Sequence, residues 1–187
     1  MDVIRTPRLA LVPATAALLD AELRSREALA DLLGADVPAD WPPGEHDRDA
    51  VELFRARLAE RPDAAGWYGW YALLPGPGGS VLIGSGGFLG PPGADGTVEI
   101  GYSIVPTYRR RGFATELVRA LVDRALSTAG VARVVAHTTP ANVGSVKVLE
   151  RCGFRHVGPG DEPGSVRYAV ARRGGPTVDA SGSAGPG

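Results

Sequence analysis

The chain has 187 residues, a formal net charge of −1 and one cysteine, which fits one domain with a sizeable core. The near-neutral charge implies no general attraction to nucleic acid or to an acidic membrane, and one cysteine excludes an internal disulfide. No secretory segment follows "MDVIRTPRLAL", and no apolar run approaches the roughly 20 residues that span a bilayer. We therefore expect a cytoplasmic protein with neither a membrane nor a nucleic-acid partner.

The N-terminal third predicts one strand and two helices. "RLALVP" at residues 8–13 has the pattern of a short strand. A leucine stripe predicts a helix over residues 14–33, and Gly34 suits its C-terminal end. Residues 49–61 carry a second apolar stripe that stops at Pro62, which predicts a second helix.

The middle of the chain predicts an antiparallel meander. Three strand-like segments lie at residues 70–74, 80–90 and 97–106, and short turns rich in Gly and Pro join them. "GSGGFLG" at 84–90 superficially resembles a dinucleotide-binding loop, but prolines and a turn follow it instead of a helix. These glycines therefore predict a bulge or a close approach of backbones.

The pattern then changes to strand, helix, strand. A helix is predicted at 114–129, a buried strand at 132–139, a short helix at 142–152 and two last strands at 154–157 and 166–171. The strands before and after the first of these helices should be parallel neighbours joined by a right-handed crossover.

The end of the chain differs in composition from the rest. "GGPTVDASGSAGPG" is small, polar and rich in helix and strand breakers, so we expect a flexible tail at 174–187. Residues 1–173 are then a single domain.

"PTYRRRGFATELV" raises the question of function, because three arginines lead to Gly112 at the start of a helix. A helix N-terminus has unpaired N–H groups and partial positive charge, and a glycine lets a ligand approach the main chain. The segment suits a pyrophosphate, but taken alone it also fits a DNA-binding patch or a solvated basic turn.

A second motif decides between these readings. Arg109-x-x-Gly112-x-Ala114 matches the pyrophosphate signature Q/R-x-x-G-x-G/A of the GNAT acetyltransferases, and it lies between a strand and a helix. "NVGSVKVLERCGF", from Asn142 to Phe154, resembles the second hallmark of that family. "VEIGYSIVPTYRRRGFATE" and "RTPRLALVPAT" are most similar to the branch of the ribosomal-protein N-acetyltransferases, the RimJ/RimL type.

The resemblance implies the α/β (α+β) GNAT fold, a mixed splayed sheet of about seven strands flanked by about four helices. It implies acetyl-CoA as the donor, with the pantetheine arm in a gap between two parting strands, and no metal. The residues that it assigns to acetyl-CoA are Tyr102, Ser103, Ile104, Val105, Arg109, Arg110, Arg111, Gly112, Phe113, Ala114, Thr115 and Asn142.

Two residues are candidates for the chemistry. Glu99 alternates onto the face of Gly101 and Ser103, and an acid at this place is the proposed base in many family members. The alternative is a solvated or ion-paired carboxylate. The tyrosine that many members use to protonate the thiolate is absent, because Leu149 stands there. Ser145 is the nearby hydroxyl, and the sequence leaves it open between general acid and helix-packing residue.

Other reactive side chains carry less weight. Asn142 is also a favoured helix N-cap, and both roles are compatible. Cys152 fits a buried apolar role, since nothing in the sequence places His137 or His156 beside it. The three histidines lack metal-ligand spacing.

Aromatic residues are concentrated before the second strand of the meander. Trp41, Trp70 and Tyr71 are candidate acceptor-binding residues, because loops there often border the acceptor site in this fold. The alternative is that at least two of this group, which includes Trp67, pack helices onto the sheet.

The resulting prediction is an acetyl-CoA-dependent N-acetyltransferase that acts on the primary amine of a small molecule. A protein or peptide N-terminal acetyltransferase and a non-catalytic acyl-CoA-binding module are the alternatives. The sequence leaves open the acceptor, the acyl chain beyond acetyl, and the oligomeric state, a homodimer included.

Overall fold

A computed structural model describes residues 3–44 and 46–172 of the chain. The predicted tail at 174–187 and its boundary with the domain lie outside these residues. Within them a nine-stranded sheet has the order β1-β2-β4-β5-β6-β7-β9-β8, and β3 pairs with β5 beside this path. The strands are β1 (Ile4–Arg5), β2 (Ala10–Pro13), β3 (Ala35–Asp36), β4 (Gly69–Gly76), β5 (Gly79–Phe88), β6 (Thr97–Ile104), β7 (Arg133–Thr138), β8 (Arg155–Pro159) and β9 (Val166–Ala171).

Five α-helices flank this sheet in the described residues. They are α1 (Ala16–Arg24), α2 (Arg26–Leu33), α3 (Arg48–Glu60), α4 (Phe113–Ser127) and α5 (Val143–Arg151). This is the predicted mixed α/β architecture, with β1 and β3, of two residues each, and one additional helix beyond the expected counts.

The predicted helix over 14–33 is two helices. Ser25 interrupts it with an extended backbone (φ −168°), and its hydroxyl accepts a hydrogen bond from the Ala28 N–H as the N-cap of α2. Its own N–H bonds to the Ala21 carbonyl and so closes α1. Ser25 therefore pairs backbone groups that both helix ends would otherwise leave unpaired. This makes the break favourable, although the leucine stripe continues across it.

Two apolar cores lie on opposite faces of the sheet. The apolar side of α4, including Leu117 and Leu121, packs on Ile100 and Ile104 of β6 and on Trp70 of β4. Leu19 of α1, Leu29 of α2 and other residues of the first three helices pack on Tyr71 and Leu82 on the other face. Alternation along each strand therefore assigns each side chain to one of two layers.

The meander and the crossover are both confirmed. Strand β4 pairs antiparallel with β5, and β5 with β6. Strands β6 and β7 are parallel neighbours, but they pair only over Thr97–Glu99 and Arg133–Val135. Beyond these pairs β6 runs on with β5 and β7 runs on with β9, so the two strands part. We call the opening between them the gap.

The glycines of "GSGGFLG" mark close backbone approaches, as expected. A Cβ at Gly87 would lie 1.7 Å from the Tyr68 carbonyl oxygen, and one at Gly84 would lie 2.6 Å from that of Ser103. A register shift between β4 and β5 falls beside Gly84, between Ala72 and Leu73. Among the described residues, the helices are all too short or too polar to cross a bilayer.

Candidate functional site

The backbone of β6 faces the gap with alternate residues. The Leu89 N–H bonds to the Glu99 carbonyl, and the Val105 N–H bonds to the Ile83 carbonyl, so these odd-numbered residues point toward β5. Since backbone groups alternate in direction along a strand, those of Tyr102 point toward the gap. Tyr102 can therefore offer an N–H and a carbonyl to an amide-rich ligand that enters between the strands.

The turn after β6 prepares the N-terminus of α4. Gly112 is the N-cap with φ 82°, and Arg110 also has a positive φ of 63°. The first N–H bonded within the helix is that of Glu116, to the Gly112 carbonyl. Helix geometry thus leaves the preceding N–H groups directed outward with partial positive charge. We call residues 109–115 the cradle.

Two arginines hold the cradle. The Arg109 Nε donates to the Ile104 carbonyl at 2.7 Å, so this guanidinium fixes the end of β6. Arg8 donates to the Arg111 carbonyl at 2.9 Å, and its guanidinium lies 4.5 Å from the centre of the Phe113 ring. These contacts explain how an exposed turn with two positive φ values keeps one conformation.

Arg8 is itself held by α4. Its Nε and Nη2 each lie 2.7 Å from Glu116 Oε2, and the Thr6 hydroxyl donates to Glu116 Oε1 at 2.6 Å. Burial alone would raise the pKa of Glu116, but the hydrogen bonds from Thr6 and Arg8 lower it below its usual value. The N-terminal segment therefore supports the cradle with an ionised carboxylate.

Glu99 lies at the point where the gap opens. It is the last residue of β6 in register with β7, opposite Val135. Its Oε1 is 2.8 Å from Nδ1 of His137, which lies two residues further along β7 on the same face. The Glu99 side chain is 32% exposed, so it is accessible to a solute as well as hydrogen-bonded.

A pair of hydroxyl groups lies on the opposite face. Tyr102 alternates away from Glu99, and its hydroxyl oxygen lies 3.0 Å from Ser145 Oγ on α5. Burial raises the pKa of Tyr102 to about 12. Asn142 is the N-cap of α5, where its Oδ1 accepts from the Ser145 N–H. The sequence did not indicate the side-chain contact of Tyr102, because it depends on how α5 packs over β6.

Cys152 has the environment of an inert thiol. Its Sγ donates to the Thr115 carbonyl at 3.4 Å, and burial raises its pKa to about 11. His137 contacts Glu99, and His156 packs edge-on against Tyr168. Within residues 3–44 and 46–172, no histidine contacts Cys152, so the thiol lacks the basic partner that activates a nucleophile, and it is half-buried and not fully buried.

The aromatic candidates separate by layer. Trp70 is 1% exposed in the α4 core, and its Nε1 donates to the Gly66 carbonyl. Tyr71 is equally buried on the other face, and its hydroxyl donates to Glu22. Both are packing residues in this structure, so the expectation that they line an acceptor site is not retained. Trp41 is half-buried and remains a candidate.

Glu22 organises the loop that carries Trp41. Its Oε1 accepts from Trp41 Nε1 at 2.7 Å and lies 3.0 Å from His46 Nε2, and its Oε2 accepts from Tyr71 at 2.6 Å. Burial would raise the pKa of Glu22, but these partners, His46 first, lower it. Burial and the Glu22 charge hold the pKa of Tyr71 well above its usual value.

The same loop closes one end of the β6 face. The Thr107 hydroxyl donates to Asp40 at 3.2 Å, and a Cβ on Gly44 would lie 2.7 Å from Ser103 Oγ. Gly101, one step nearer Glu99 on this face, has open space in front of it. We call this open stretch from Gly101 to Glu99 the groove.

Comparison with known proteins identifies the fold and its family. The family model described as "Acetyltransferase (GNAT) domain" matches residues 8–155. The chain belongs to the GNAT acetyltransferase family. It is therefore an acyltransferase, as predicted. The N-acetyltransferase YjdG of Bacillus subtilis (strain 168), named as uncharacterized, is 31% identical over 154 residues, which is 82% of this chain and 90% of YjdG.

Solved GNAT structures superpose over most of the chain. A GNAT-family acetyltransferase from Bacillus anthracis has a TM-score of 0.61 at 21% identity, covering 91% of this chain and 98% of its own. RimL, a ribosomal L7/L12 α-N-protein acetyltransferase in complex with CoA, has a TM-score of 0.63 at 18% identity, covering 91% of this chain and 98% of its own. AAC(6')-Ib with ribostamycin and CoA has a TM-score of 0.60 at 20% identity, covering 89% of this chain and 94% of its own. The predicted fold and the predicted GNAT family are confirmed.

The structure brings most of the predicted site residues to one gap. Glu99, the backbone of Tyr102 and the cradle lie along it, and Ser145 reaches Tyr102 at its α5 side. His137, Arg167 and Asp161 were not predicted as site residues, yet they form a chain of contacts ending at Glu99. Across residues 3–44 and 46–172, no cluster of three or more His, Cys, Asp and Glu could hold a metal ion.

Proposed function

We propose that this protein transfers the acetyl group of acetyl-CoA to the primary amine of a small molecule. The observation that supports it most directly is the position of Glu99. It is the last paired residue before β6 and β7 part, and it is open to the groove. A thioester held in the gap and an amine lying in the groove would meet beside this carboxylate.

The fit of this chain to CoA rests on the cradle and the gap. The first turn of α4 offers outward N–H groups, and Gly112 places no Cβ in front of them. Such a terminus suits a pyrophosphate. Tyr102 offers backbone groups along the gap, where the amides of a pantetheine arm can pair in the manner of an added strand. The GNAT neighbours RimL and AAC(6')-Ib were solved with CoA.

Glu99 is the group that we assign to the amine proton. An amine attacks a thioester only when it is neutral, and a lysine side chain has a pKa near 10.4 against about 7.7–8.0 for an α-amino group. The Glu99 carboxylate, reached directly or through a water, can accept the proton as the C–N bond forms.

Ser145 and Tyr102 are the groups that we assign to the departing sulfur. As the amide C–N bond forms, the thioester C–S bond breaks and the thiolate needs a proton. Because burial holds the pKa of Tyr102 at about 12, its hydroxyl is protonated at neutral pH and can donate directly or through Ser145. The family tyrosine that is absent at Leu149 would then be replaced by a hydroxyl from β6.

The shape of the groove favours a small acceptor. Gly44 and Asp40 close it at the Ser103 and Thr107 end, while Gly101 leaves its floor open. Such a groove, closed at one end, fits a compact amine or the terminus of a chain better than a lysine flanked by folded protein on both sides. A peptide N-terminus is the alternative, and RimL shows that the same fold serves it.

An acceptor panel tests the proposal. Purified protein is incubated with acetyl-CoA and aminoglycosides, polyamines, amino acids, and short peptides with free or blocked N-termini, and acetylated products are identified by mass spectrometry. We expect at least one small amine to be turned over by the native protein and much more slowly by Glu99→Gln. Turnover confined to peptides with free N-termini would establish the alternative. A panel without any product dependent on Glu99 would refute the assignment of the base.

A further inference from the structure

A chain of charged and polar side chains ends at Glu99. Nδ1 of His137 lies 2.8 Å from Glu99 Oε1, and Nε2 of the same ring lies 2.8 Å from Nε of Arg167 on β9. The Arg167 guanidinium is hydrogen-bonded to Asp161, in the loop between β8 and β9, and Asp161 Oδ2 is 3.8 Å from His137 Nε2. We call these four residues the relay.

The direction of each hydrogen bond follows from the chemistry of arginine. A guanidinium has only donors, so the Arg167 Nε–H must donate and His137 Nε2 must accept. A ring nitrogen that accepts carries no proton. The neutral imidazole has a single N–H, which must therefore be on Nδ1 and must donate to Glu99 Oε1.

The surroundings of the ring agree with an Nε2 that accepts a hydrogen bond. An N–H at this position would lie against a guanidinium N–H at 2.8 Å, without an acceptor between them. The opposing carboxylate of Asp161 is 68% exposed, so its attraction is weakened by solvent. Arg133 projects from the same face of β7, but it pairs with Asp95. Glu99, Arg167 and Asp161 are thus the charged groups that face the ring.

We propose that His137, held in its Nδ1–H tautomer by Arg167, is a positioning residue that orients the Glu99 carboxylate. The inference rests on the proposed role of Glu99 as the acceptor of the amine proton. In the described residues, the contact from His137 engages Oε1 alone, which leaves Oε2 to meet the amine.

The tautomer can be measured without a substrate. In protein labelled with ¹⁵N-histidine, the couplings of ring nitrogens to ring protons distinguish the two neutral tautomers. The three histidines are assigned by single replacement. We expect His137 to be the Nδ1–H tautomer at neutral pH, and Arg167→Leu to release it to a mixture of forms, while His156 is unchanged. An Nε2–H tautomer in the native protein would overturn the relay.

Catalysis provides the second measurement. His137→Leu removes the donor and should lower kcat/KM about 10- to 100-fold, since hydrogen bonds to charged groups contribute on that scale. It should also lower kcat more than it raises the KM for acetyl-CoA. His137→Asn can return an N–H to the Nδ1 position and should restore most of both. His156→Leu, on β8, which β9 separates from β7, is the matched control and should change neither.

The two measurements separate this inference from the proposed function. A native Nδ1–H tautomer supports the relay even before an acceptor is found. A His137→Leu protein with its fold intact and with full kcat and kcat/KM would overturn the positioning role. That result would not contradict the proposed acetyl transfer.

Discussion

Gly112→Glu is the most direct test of the cradle. The substitution has two separable effects, because Gly112 has a φ of 82° and is the N-cap of α4. A side chain in the left-handed region costs about 1–2 kcal/mol of stability. The new carboxylate adds electrostatic repulsion wherever a pyrophosphate binds at the helix N-terminus.

The repulsion can be bounded from Coulomb's law. Two unit charges 4 Å apart repel by about 1 kcal/mol in water and about 4 kcal/mol at an effective dielectric constant of 20. For an exposed turn facing two phosphate charges we take about 2–4 kcal/mol, which weakens CoA binding about 30- to 1,000-fold. Because Arg8 Nη2 lies 3.4 Å from the position of the new Cβ, it partly offsets the added charge. We therefore expect the lower half of this range.

Gly130→Glu is the matched control. Gly130 follows α4 at the opposite end, has φ 84°, and a Cβ there would meet nothing within 4 Å. The two variants therefore share the backbone strain and the charge change. Both should melt roughly 2–8 °C below the native protein, from the strain and the usual scaling for a chain of this size.

Calorimetry with CoA at two salt concentrations provides the comparison. Gly112→Glu should lose affinity, and the loss should shrink as salt screens the repulsion, whereas Gly130→Glu should bind CoA like the native protein. Native CoA affinity in both variants would refute the phosphate-binding role of the cradle. Equal loss in both would attribute the effect to strain.

Further predictions follow from the hydroxyl pair, Glu22 and the tail. Ser145→Ala and Tyr102→Phe should each lower kcat and leave CoA affinity nearly unchanged. The decrease in kcat should be smaller for an acyl donor with a better leaving thiol. Full kcat in both variants would show that neither hydroxyl is the proton donor. Glu22→Gln should cost about 2–3 kcal/mol of unfolding free energy, since the buried carboxylate accepts three hydrogen bonds. The folded pKa of Glu22 is lowered, so this difference should be complete above about pH 5 and shrink as pH falls through the folded pKa, as measured by denaturation with pH. Removal of residues 174–187, in which Val178 is the one large aliphatic side chain, should leave the melting temperature and CoA affinity nearly unchanged in calorimetry.

Periodicity and local motifs predicted the parts of the fold that short-range chemistry decides. The crossover at Arg133–Thr138, the N-cap Asn142 and the glycine-marked close approach of β4 and β5 all agree with the structure. Each depends on residues within one or two elements. The break at Ser25 was missed because the leucine stripe does not change there, while the capping hydroxyl does.

The relay could not be predicted for a different reason. Alternation places Glu99 and His137 each on one face of its own strand, but their contact depends on the register of two parallel strands joined by a long crossover. The pairing of Arg167 with His137 adds the register of β7 with β9. A slip of one residue in either pairing would move the partner to the opposite face. Trp70 and Tyr71 show the same limit, since adjacent aromatic residues enter separate cores.

The two groups that we assign to proton transfer lie on opposite faces of the sheet, because Glu99 and Tyr102 are three residues apart along β6. Here Glu99 faces the groove, while the hydroxyl pair of Tyr102 and Ser145 lies on the α5 side. If β6 and β7 were paired along their whole length, the sheet would separate Glu99 from the hydroxyl pair. The gap leaves an opening in which, on the proposed mechanism, the reacting carbonyl carbon can lie close to both. Alternation along β6 thus allows one strand to place the assigned base, Glu99, and the assigned acid, Tyr102, on opposite faces for the two proton transfers of the proposed reaction.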